Sequence, residues 1–436
     1  MENNTELLLP HNFTPRGYQT PLLQNMDGSG LRAVCVWHRR AGKDKTVLNF
    51  TFKSMFERVG LYTYYFPTYV QGRTILWEGM DRDGFKFMDH LPESVRQRTD
   101  NTRMTVEATN GSIFRIVGTD QPDKLRGGNP VGCVFSEWSE QDPYAWDVVR
   151  PILAENGGWA IFIYTPKGKN HGWNIFKMAR DDPKWFCQVL TVEDTLAVDS
   201  DVLIQEKKEI IAKDGTDALY QQEYMCSFEV PISGAYYAHQ LMKADEDKRI
   251  TSVPYQPTLK VHTAWDLGVG DATSIWFFQQ VGMEVHIIDY YETSGEGLHH
   301  YAKILQEKNY IYGTHWGPHD LKARELSTGK SRLETAKTMG LHFQVAPNLP
   351  VDDGIEAARN LLSLCWFDKD KCERGLSALR SYHKEYDDAN QTYKMKPKHD
   401  WSSHGADAFR YLAVSHRTQI AETSAVETPV IVDPYE

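Results

Sequence analysis

A glycine and a lysine stand together in a segment with the features of a phosphate-binding loop. The segment Trp37–Thr46 (WHRRAGKDKT) joins an apolar run to a stretch with helical periodicity. At such a junction the backbone N–H groups that open the helix bind phosphate oxygens, Gly42 allows close approach, and Lys43 reaches the terminal phosphates. The alternative is a basic surface turn before a helix. The predicted nucleotide-binding residues of this loop are Arg39, Arg40, Ala41, Gly42, Lys43, Asp44 and Lys45.

A carboxylate ends a second apolar run. The segment Val131–Glu140 (VGCVFSEWSE) predicts a strand that stops at Glu137. In ATPases a carboxylate in this position polarises the attacking water or holds Mg²⁺ through water. The alternative is an ordinary exposed glutamate, but a strand, loop and helix followed by a strand and an acid form a less common order. Two positions depart from the common pattern, since Asp44 stands where Ser or Thr binds Mg²⁺ and Ser136 where Asp is usual.

Three further segments supply polar residues for the same site. Arg16 or Gln19 is placed to contact an adenine edge. An equally good interpretation of this segment is a plain N-terminal turn. Thr165 and Lys167 follow a predicted strand and are placed to sense a γ-phosphate, unless they belong to a surface loop. Arg126 lies in the glycine-flanked segment DKLRGG. An arginine there can stabilise transition-state charge as a finger, or it is simply a solvated loop residue.

Three aspartates in the second half predict a metal site. Asp266 ends the first strand of this half, Asp320 ends the fourth, and Asp407 lies in the first turns of a late helix. In an RNase H-like sheet the first and fourth strands are neighbours and the late helix packs beside them. The three carboxylates would then hold two Mg²⁺ or Mn²⁺ ions that activate water at a phosphodiester. Asp271 and His404 lie nearby in sequence, and the alternative is three unrelated capping or surface acids.

The elements around these residues indicate two α/β domains. Strands alternate with helices in the first half, which is typical of a parallel sheet covered on both faces. In the second half, three strands joined by short turns precede a helix, a strand and further αβα segments. The predicted fold is a P-loop ATPase domain followed by an RNase H-like nuclease domain. The expected divisions are 1–230 for the ATPase, 231–258 for a linker, 259–418 for the nuclease and 419–436 for a flexible acidic tail.

Composition excludes several classes of protein. The 436 residues are 41% hydrophobic and 25% charged, with a net charge of −11, which argues against a protein that simply coats nucleic acid. No apolar run approaches a membrane span, and the N-terminus lacks a secretory signal, so we expect a cytoplasmic protein. The six cysteines include no C-x-x-C pair, and four of them, Cys35, Cys133, Cys187 and Cys226, are expected to be small buried hydrophobic residues.

Together these motifs resemble the large terminase subunit of tailed bacteriophages and prophages. The resemblance runs from about residue 13 to 415. The motifs that carry it are HRRAGKD, VFSEW, YTPKGKNHGW, QQEYMCSFE, WDLG, GPHD and SHGADAFRYLA. It implies that Lys43 binds phosphate, that Glu137 is catalytic, and that Arg126 is a finger offered to a neighbouring subunit.

The resemblance also implies metal ligands, cofactors, partners and a location. Asp266, Asp320 and Asp407 correspond to the metal ligands of the nuclease. The implied cofactors are ATP and Mg²⁺, and Mn²⁺ can substitute in the nuclease site. The implied partners are double-stranded DNA, a small terminase subunit and a portal protein. The implied assembly is a homo-oligomeric ring on the portal, and a monomer is the alternative for the isolated chain. The implied location is the host cell cytoplasm, outside the mature virion.

Two other functions fit parts of the sequence. One is a helicase or translocase fused to a nuclease for DNA repair, although this class needs further helicase motifs and usually a second RecA-like domain. The other is a docking protein whose two sites have decayed, for which the Asp44 and Ser136 departures are the best support.

Overall fold

The chain folds into two compact units, Met1–Pro231 and Ile232–Glu436. A computed structural model describes residues 9–28, 30–268, 272–322, 331–387 and 392–426. Each unit is built around one large β-sheet.

The first unit contains an eight-stranded sheet with helices between its strands. The strands are β1 (Arg32–Trp37), β2 (Leu61–Phe66), β3 (Arg96–Asp100), β4 (Thr105–Ala108), β5 (Ile113–Gly118), β6 (Pro130–Ser136), β7 (Trp159–Tyr164) and β8 (Phe186–Leu190). The helices are α1 (Thr20–Asp27), α2 (Lys43–Glu57), α3 (Tyr69–Gly72), α4 (Tyr144–Asn156), α5 (His171–Asp181), α6 (Val192–Thr195), α7 (Ser200–Asp214) and α8 (Ala218–Glu223).

The strand order places the predicted nucleotide loop and the predicted catalytic acid at one edge. The order is β3-β4-β5-β2-β6-β7-β1-β8, and the six strands from β5 to β8 pair in parallel. The loop follows β1 and Glu137 follows β6, with β7 between them. Because carboxyl ends of parallel strands meet at one edge, residues distant in sequence converge there.

Burial explains why the parallel strands could be recognised in the sequence. Residues 33–37 of β1 are all buried, as expected for a strand covered on both faces. Helix α2 buries Val47, Leu48, Phe52 and Met55 against the sheet. The antiparallel edge formed by β3 and β4 was not predicted. Strand β3 reads RQRTD and is largely exposed, so it carries no apolar alternation.

The second unit contains a seven-stranded sheet and a separate two-stranded hairpin. The strands are β9 (Ile250–Thr251), β10 (Val261–Asp266), β11 (Ala272–Val281), β12 (Glu284–Ser294), β13 (Tyr312–Gly317), β14 (Phe343–Val345), β15 (Cys365–Asp368), β16 (Lys384–Asp387) and β17 (Thr392–Pro397). The helices are α9 (Ala238–Glu246), α10 (Leu298–Lys308), α11 (Arg332–Thr338), α12 (Val351–Leu362), α13 (Glu373–Ser381) and α14 (Trp401–Val426).

The topology of this sheet is RNase H-like. Its order is β14-β13-β10-β11-β12-β15-β9, in which β10, β11 and β12 pair in antiparallel fashion and β13 pairs in parallel with β10. The predicted neighbourhood of the first and fourth strands is therefore confirmed. Helix α14 buries Ala408, Phe409 and Leu412 in the core of this unit.

The predicted linker and the predicted tail both differ from the structure. The segment 231–258 is folded into the second unit, where it forms α9 and β9 and buries Tyr237 and Leu241. Its charged and proline-containing texture reflects the exposed side of α9 and the turn that follows it. The expected tail began at residue 419, but α14 continues to Val426, and residues 427–436 lie outside the described part.

All six cysteines are free, and five of them are buried, with Cys187 half-buried. Within the described residues, no helix combines the length and the apolar character needed to cross a membrane.

Candidate functional site

The loop after β1 opens helix α2 with an uncapped first turn. Gly42 is the N-cap, has a left-handed backbone (φ 80°), and provides no side-chain hydrogen bond to that turn. A Cβ at Gly42 would lie 3.0 Å from Gln19 Nε2, so both conformation and space favour glycine. An uncapped helix N-terminus offers N–H donors and a positive dipole end, which suits a phosphate group.

Lys43 lies beside the predicted sensor residue. Its buried ammonium donates to Thr165 Oγ1 at 3.1 Å and to the Trp37 carbonyl at 3.2 Å. Thr165 follows β7, the strand adjacent to β1. The structure thus brings together two predicted residues that are 122 positions apart.

Asp44 and Ser136, the two departures from the common pattern, are hydrogen-bonded to each other. Ser136 Oγ donates to Asp44 Oδ1 at 2.7 Å, and the Tyr64 hydroxyl donates to the same oxygen at 2.9 Å. The usual arrangement has a hydroxyl on the helix and a carboxylate on the strand. Here the carboxylate is on the helix and the hydroxyl is on the strand, so the pair still consists of one carboxylate and one hydroxyl, groups of the kind that hydrated Mg²⁺ favours.

Glu137 has the properties of a proton acceptor near neutral pH. It follows β6 in a left-handed backbone conformation (φ 55°), which is costly for a non-glycine residue and typical of functional positions. Burial raises the pKa of its carboxyl to about 7, with the charges of Glu140 and Asp44 adding to the rise and Lys43 opposing it. A carboxyl with this pKa is well matched to general-base work at cellular pH.

The segment before α1 is tied to the nucleotide loop through Ala41. The Ala41 carbonyl accepts hydrogen bonds from Gln19 Nε2 at 3.0 Å and from the Tyr18 hydroxyl at 3.1 Å. Arg16 Nη1 in turn donates to the Tyr18 hydroxyl at 2.7 Å. Both predicted adenine-contacting residues, Arg16 and Gln19, therefore lie at the loop.

The remaining predicted loop cations point to other partners. Lys45 forms an ion pair with Asp81 at 2.7 Å. Arg40 is exposed with a left-handed backbone (φ 72°), and Arg39 lies 3.6 Å from a Glu223 oxygen. Lys45 therefore has a carboxylate partner within the chain, and its predicted contact with nucleotide stays a prediction.

Arg126 lies apart from the residues around Lys43. Its guanidinium contacts Asp123 at 3.4 Å and donates to the Tyr144 hydroxyl, over whose ring it also packs. The side chain is 62% exposed. The guanidinium is therefore accessible to a second molecule, and within this chain it contacts Asp123 and Tyr144.

Glu223 is a buried acid at this site that the sequence did not single out. It accepts a hydrogen bond from Lys167 Nζ at 2.9 Å, and its backbone carbonyl accepts the Arg39 N–H. Burial opposes its ionisation, but the Lys167 ammonium holds its pKa below the ordinary value. Glu223 thus connects the nucleotide loop to the segment after β7. The only signal was its place in QQEYMCSFE, and no local pattern marks a contact over this separation.

Asp266 and Asp407 form the centre of the candidate metal site. Asp266 ends β10, and its Oδ2 lies 3.5 Å from His404 Nδ1. Asp407 Oδ1 accepts hydrogen bonds from Arg410 Nη2 at 3.1 Å and from the Tyr382 hydroxyl at 3.3 Å. Burial raises the pKa of Asp266; the His404 hydrogen bond opposes that rise and the charge of Asp407 adds to it.

Asp320 is within electrostatic reach but is turned toward an arginine. It lies in the turn His319–Lys322 after β13, with its side chain 51% exposed and 4.0 Å from Arg332 Nη1. Burial raises the pKa of Tyr411 to about 12, and the charges of Asp266, Asp407 and Asp320 all contribute to that rise. All three carboxylates therefore lie within electrostatic range of the Tyr411 hydroxyl.

The metal site differs from its prediction in one respect. No three His, Cys, Asp or Glu side chains of the described ranges lie close enough together to hold an ion. Asp320 is exposed, and its carboxylate forms an ion pair with Arg332 at 4.0 Å. Asp271, named with this site, lies outside the described residues.

The residues present fit the groups that the motifs predict. The uncapped turn of α2 beside Lys43 suits a nucleotide phosphate. Burial and the charge of Asp407 raise the pKa of Asp266, and a cation bound beside the two carboxylates would offset that repulsion.

Comparison with known proteins gives matches among phage terminases. The large terminase subunit of Escherichia phage T5 is 22% identical over 320 residues, which is 70% of this chain and 70% of the relative. The large terminase subunit of Thermus phage G20c is 35% identical over 68 residues, 15% of this chain and 14% of the relative.

The large terminase of the thermophilic bacteriophage D6E, solved with ADP, has 15% identity and a TM-score of 0.41, and the match covers 91% of this chain and 98% of that one. No protein-family model matches the chain. The predicted resemblance to large terminase subunits is confirmed by the relative from phage T5.

Proposed function

We propose that this chain is the large terminase subunit of a tailed bacteriophage or prophage. It hydrolyses ATP to move double-stranded DNA into a procapsid, and its second unit cuts concatemeric DNA with the help of Mg²⁺ or Mn²⁺. The observation that carries the proposal is the meeting of Lys43, Asp44, Ser136 and Thr165 at one edge of a parallel sheet. The 22% identity with the T5 relative over 70% of both chains supports the same conclusion.

The first unit supplies the groups for phosphoryl transfer to water. Lys43 binds the phosphates at the opening turn of α2, while Asp44 and Ser136 hold the water shell of Mg²⁺. When bound, ATP supplies the phosphoanhydride bond, and Mg²⁺ neutralises phosphate charge. Glu137 orients the attacking water and takes its proton, for which a pKa of about 7 is suitable. Thr165 positions the Lys43 ammonium.

Arg126 acts on a neighbouring subunit in this account. Two observations support a finger offered to another copy of the chain. The Arg126 side chain is exposed, and among the described residues it contacts Asp123 and Tyr144 rather than Lys43, Asp44 or Ser136. Such an arginine stabilises charge on the transferred phosphoryl group. The working form is then a homo-oligomeric ring docked on a portal protein, with a small terminase subunit delivering the DNA in the host cytoplasm.

The second unit supplies the carboxylates for metal-dependent cutting. Asp266, Asp407 and Asp320 would hold Mg²⁺ or Mn²⁺, and the bound ions would supply activation of water and stabilisation of charge on the leaving oxygen. Asp320 must leave Arg332 to join the other two, and its exposed side chain permits that movement. His404 positions Asp266 through their 3.5 Å contact.

Paired variants of the full chain test the proposal. Lys43→Ala should abolish ATP hydrolysis and leave Mn²⁺-dependent plasmid cutting intact, while Asp266→Asn should do the reverse. Lys53→Ala is the control, since Lys53 lies in the same helix but pairs with Asp27 and Glu57. Normal ATP turnover by Lys43→Ala would remove the nucleotide-site assignment. An unmodified chain with neither activity would favour the docking-protein alternative.

A further inference from the structure

Tyr382 holds one oxygen of the Asp407 carboxylate. Its buried hydroxyl donates to Asp407 Oδ1, and Arg410 donates to that same oxygen. Both donors act on Oδ1, so Oδ2 is left for a cation. A carboxylate held in this way enters metal coordination with one oxygen already oriented, as in outer-shell support of metal ligands.

Tyr382 is itself held by the segment Ser233–Tyr237, which we call the entry segment. The Tyr236 N–H donates to the Tyr382 carbonyl at 3.0 Å, and the Lys384 N–H donates to the Gly234 carbonyl at 3.1 Å. Ala235 and His383 form an antiparallel bridge between these two bonds. The backbone from the Tyr382 carbonyl to the Lys384 N–H is therefore paired with the entry segment.

The entry segment also packs against the Tyr382 ring. Tyr237 stacks on it with ring centroids 5.8 Å apart and an interplanar angle of 19°, and Tyr236 lies 5.2 Å away. Tyr237 is fully buried, yet its hydroxyl finds no hydrogen-bond partner among the described residues. Tyr237 is therefore held by packing, which includes its stacking on Tyr382, and not by a hydrogen bond of its hydroxyl among the described residues.

We propose that Tyr382 is a positioning residue for Asp407, and that the entry segment fixes Tyr382 and thereby tunes the affinity of the metal centre. This inference rests on the proposed metal centre of the second unit. The entry segment follows Pro231, the last residue of the first unit. The residues that support Asp407 through Tyr382 therefore come from the first residues of the second unit.

The first test measures Mn²⁺ binding and cutting by the full chain without nucleotide. Free Mn²⁺ is counted by its electron paramagnetic resonance signal, with Asp266→Asn as the blank. Tyr382→Phe removes only the hydroxyl and should weaken Mn²⁺ binding roughly 10- to 100-fold, as loss of an outer-shell partner does. Cutting should recover at saturating Mn²⁺. Tyr301→Phe is the matched control, because Tyr301 is equally buried and also donates a 3.3 Å hydrogen bond, but to the Thr293 carbonyl.

The second test asks whether the entry segment acts through Tyr382. Gly234 has φ 77°, and an added Cβ would lie 3.0 Å from the Tyr393 ring, so Gly234→Ala should disturb the segment. It should weaken Mn²⁺ binding, and the double variant should bind no worse than Tyr382→Phe alone. If the losses of Mn²⁺ affinity in the two single variants add up in the double variant, the role of the entry segment is overturned. If Tyr382→Phe binds Mn²⁺ as tightly as the unmodified chain, the whole proposal is overturned, and this result does not depend on whether Gly234→Ala folds. An unmodified chain that binds no Mn²⁺ would instead contradict the metal centre itself.

Discussion

Exchanging Asp44 and Ser136 should preserve ATP hydrolysis, whereas either single change should destroy it. The two side chains are hydrogen-bonded at 2.7 Å at the end of β6 and the start of α2. If the site needs one carboxylate and one hydroxyl there, Asp44→Ser combined with Ser136→Asp meets that need. The exchanged chain would have the arrangement common in other ATPases.

The structure supplies the size of the single effects. Ser136→Asp brings a second carboxylate against Asp44, and two charges about 4 Å apart repel by about 4 kcal/mol at an effective dielectric constant of 20. Asp44→Ser removes the acceptor for the hydroxyls of Ser136 and Tyr64, at a cost of about 1–3 kcal/mol for a buried group left without a partner. Each single change also alters the charge offered to Mg²⁺.

Steady-state ATP hydrolysis and thermal unfolding of the four chains measure the coupling. We expect each single variant to lose at least about 100-fold in turnover, which corresponds to about 2.7 kcal/mol. The double variant should recover most of that loss and also most of the melting temperature. A double variant as inactive as the product of the two singles would refute the reasoning, because the two positions would then act independently.

Three further outcomes follow from the same geometry. The ATP hydrolysis rate should rise with pH through about 7 as Glu137 ionises, and Glu137→Gln should abolish turnover. Because folding raises this pKa, the folded chain loses stability as pH rises from about 4.5 to about 7, so Glu137→Gln should raise the melting temperature at pH 8 more than at pH 5. Arg126→Ala should slow turnover by roughly 10³-fold with little change in nucleotide affinity, and a normal rate would contradict the finger. Asp266→Asn should remove Mn²⁺-dependent cutting and raise the melting temperature in a chelator, whereas cutting that persists would place the metal elsewhere.

Local apolar patterns made much of the fold predictable. Helix α2 and the strands β1, β2 and β7 appear in the sequence as short apolar runs or one-sided periodicity, and the structure contains each of them. The order of the second unit was readable because three strands, a helix and a fourth strand follow one another without long insertions. The hairpin edge of β3 and β4 was missed because its residues are polar and exposed.

Contacts across the chain explain what the sequence could not show. Glu223 meets Lys167, and Tyr382 meets Asp407, only because strands and helices return to the same place in the fold. The start of the second unit was taken for a linker because charged residues cover one side of α9, although Leu241 on its other side is buried. Pairwise contacts of this kind carry no mark in the local sequence.

A crystal structure of the chain with an ATP analogue and Mn²⁺ tests the central claim most directly. The account predicts phosphates at the first turn of α2 beside Lys43, and anomalous density from Mn²⁺ between Asp266 and Asp407, with Asp320 drawn in from Arg332. Phosphates bound elsewhere would contradict the motor assignment. Anomalous density away from these carboxylates, in a chain that still cuts DNA, would contradict the nuclease assignment.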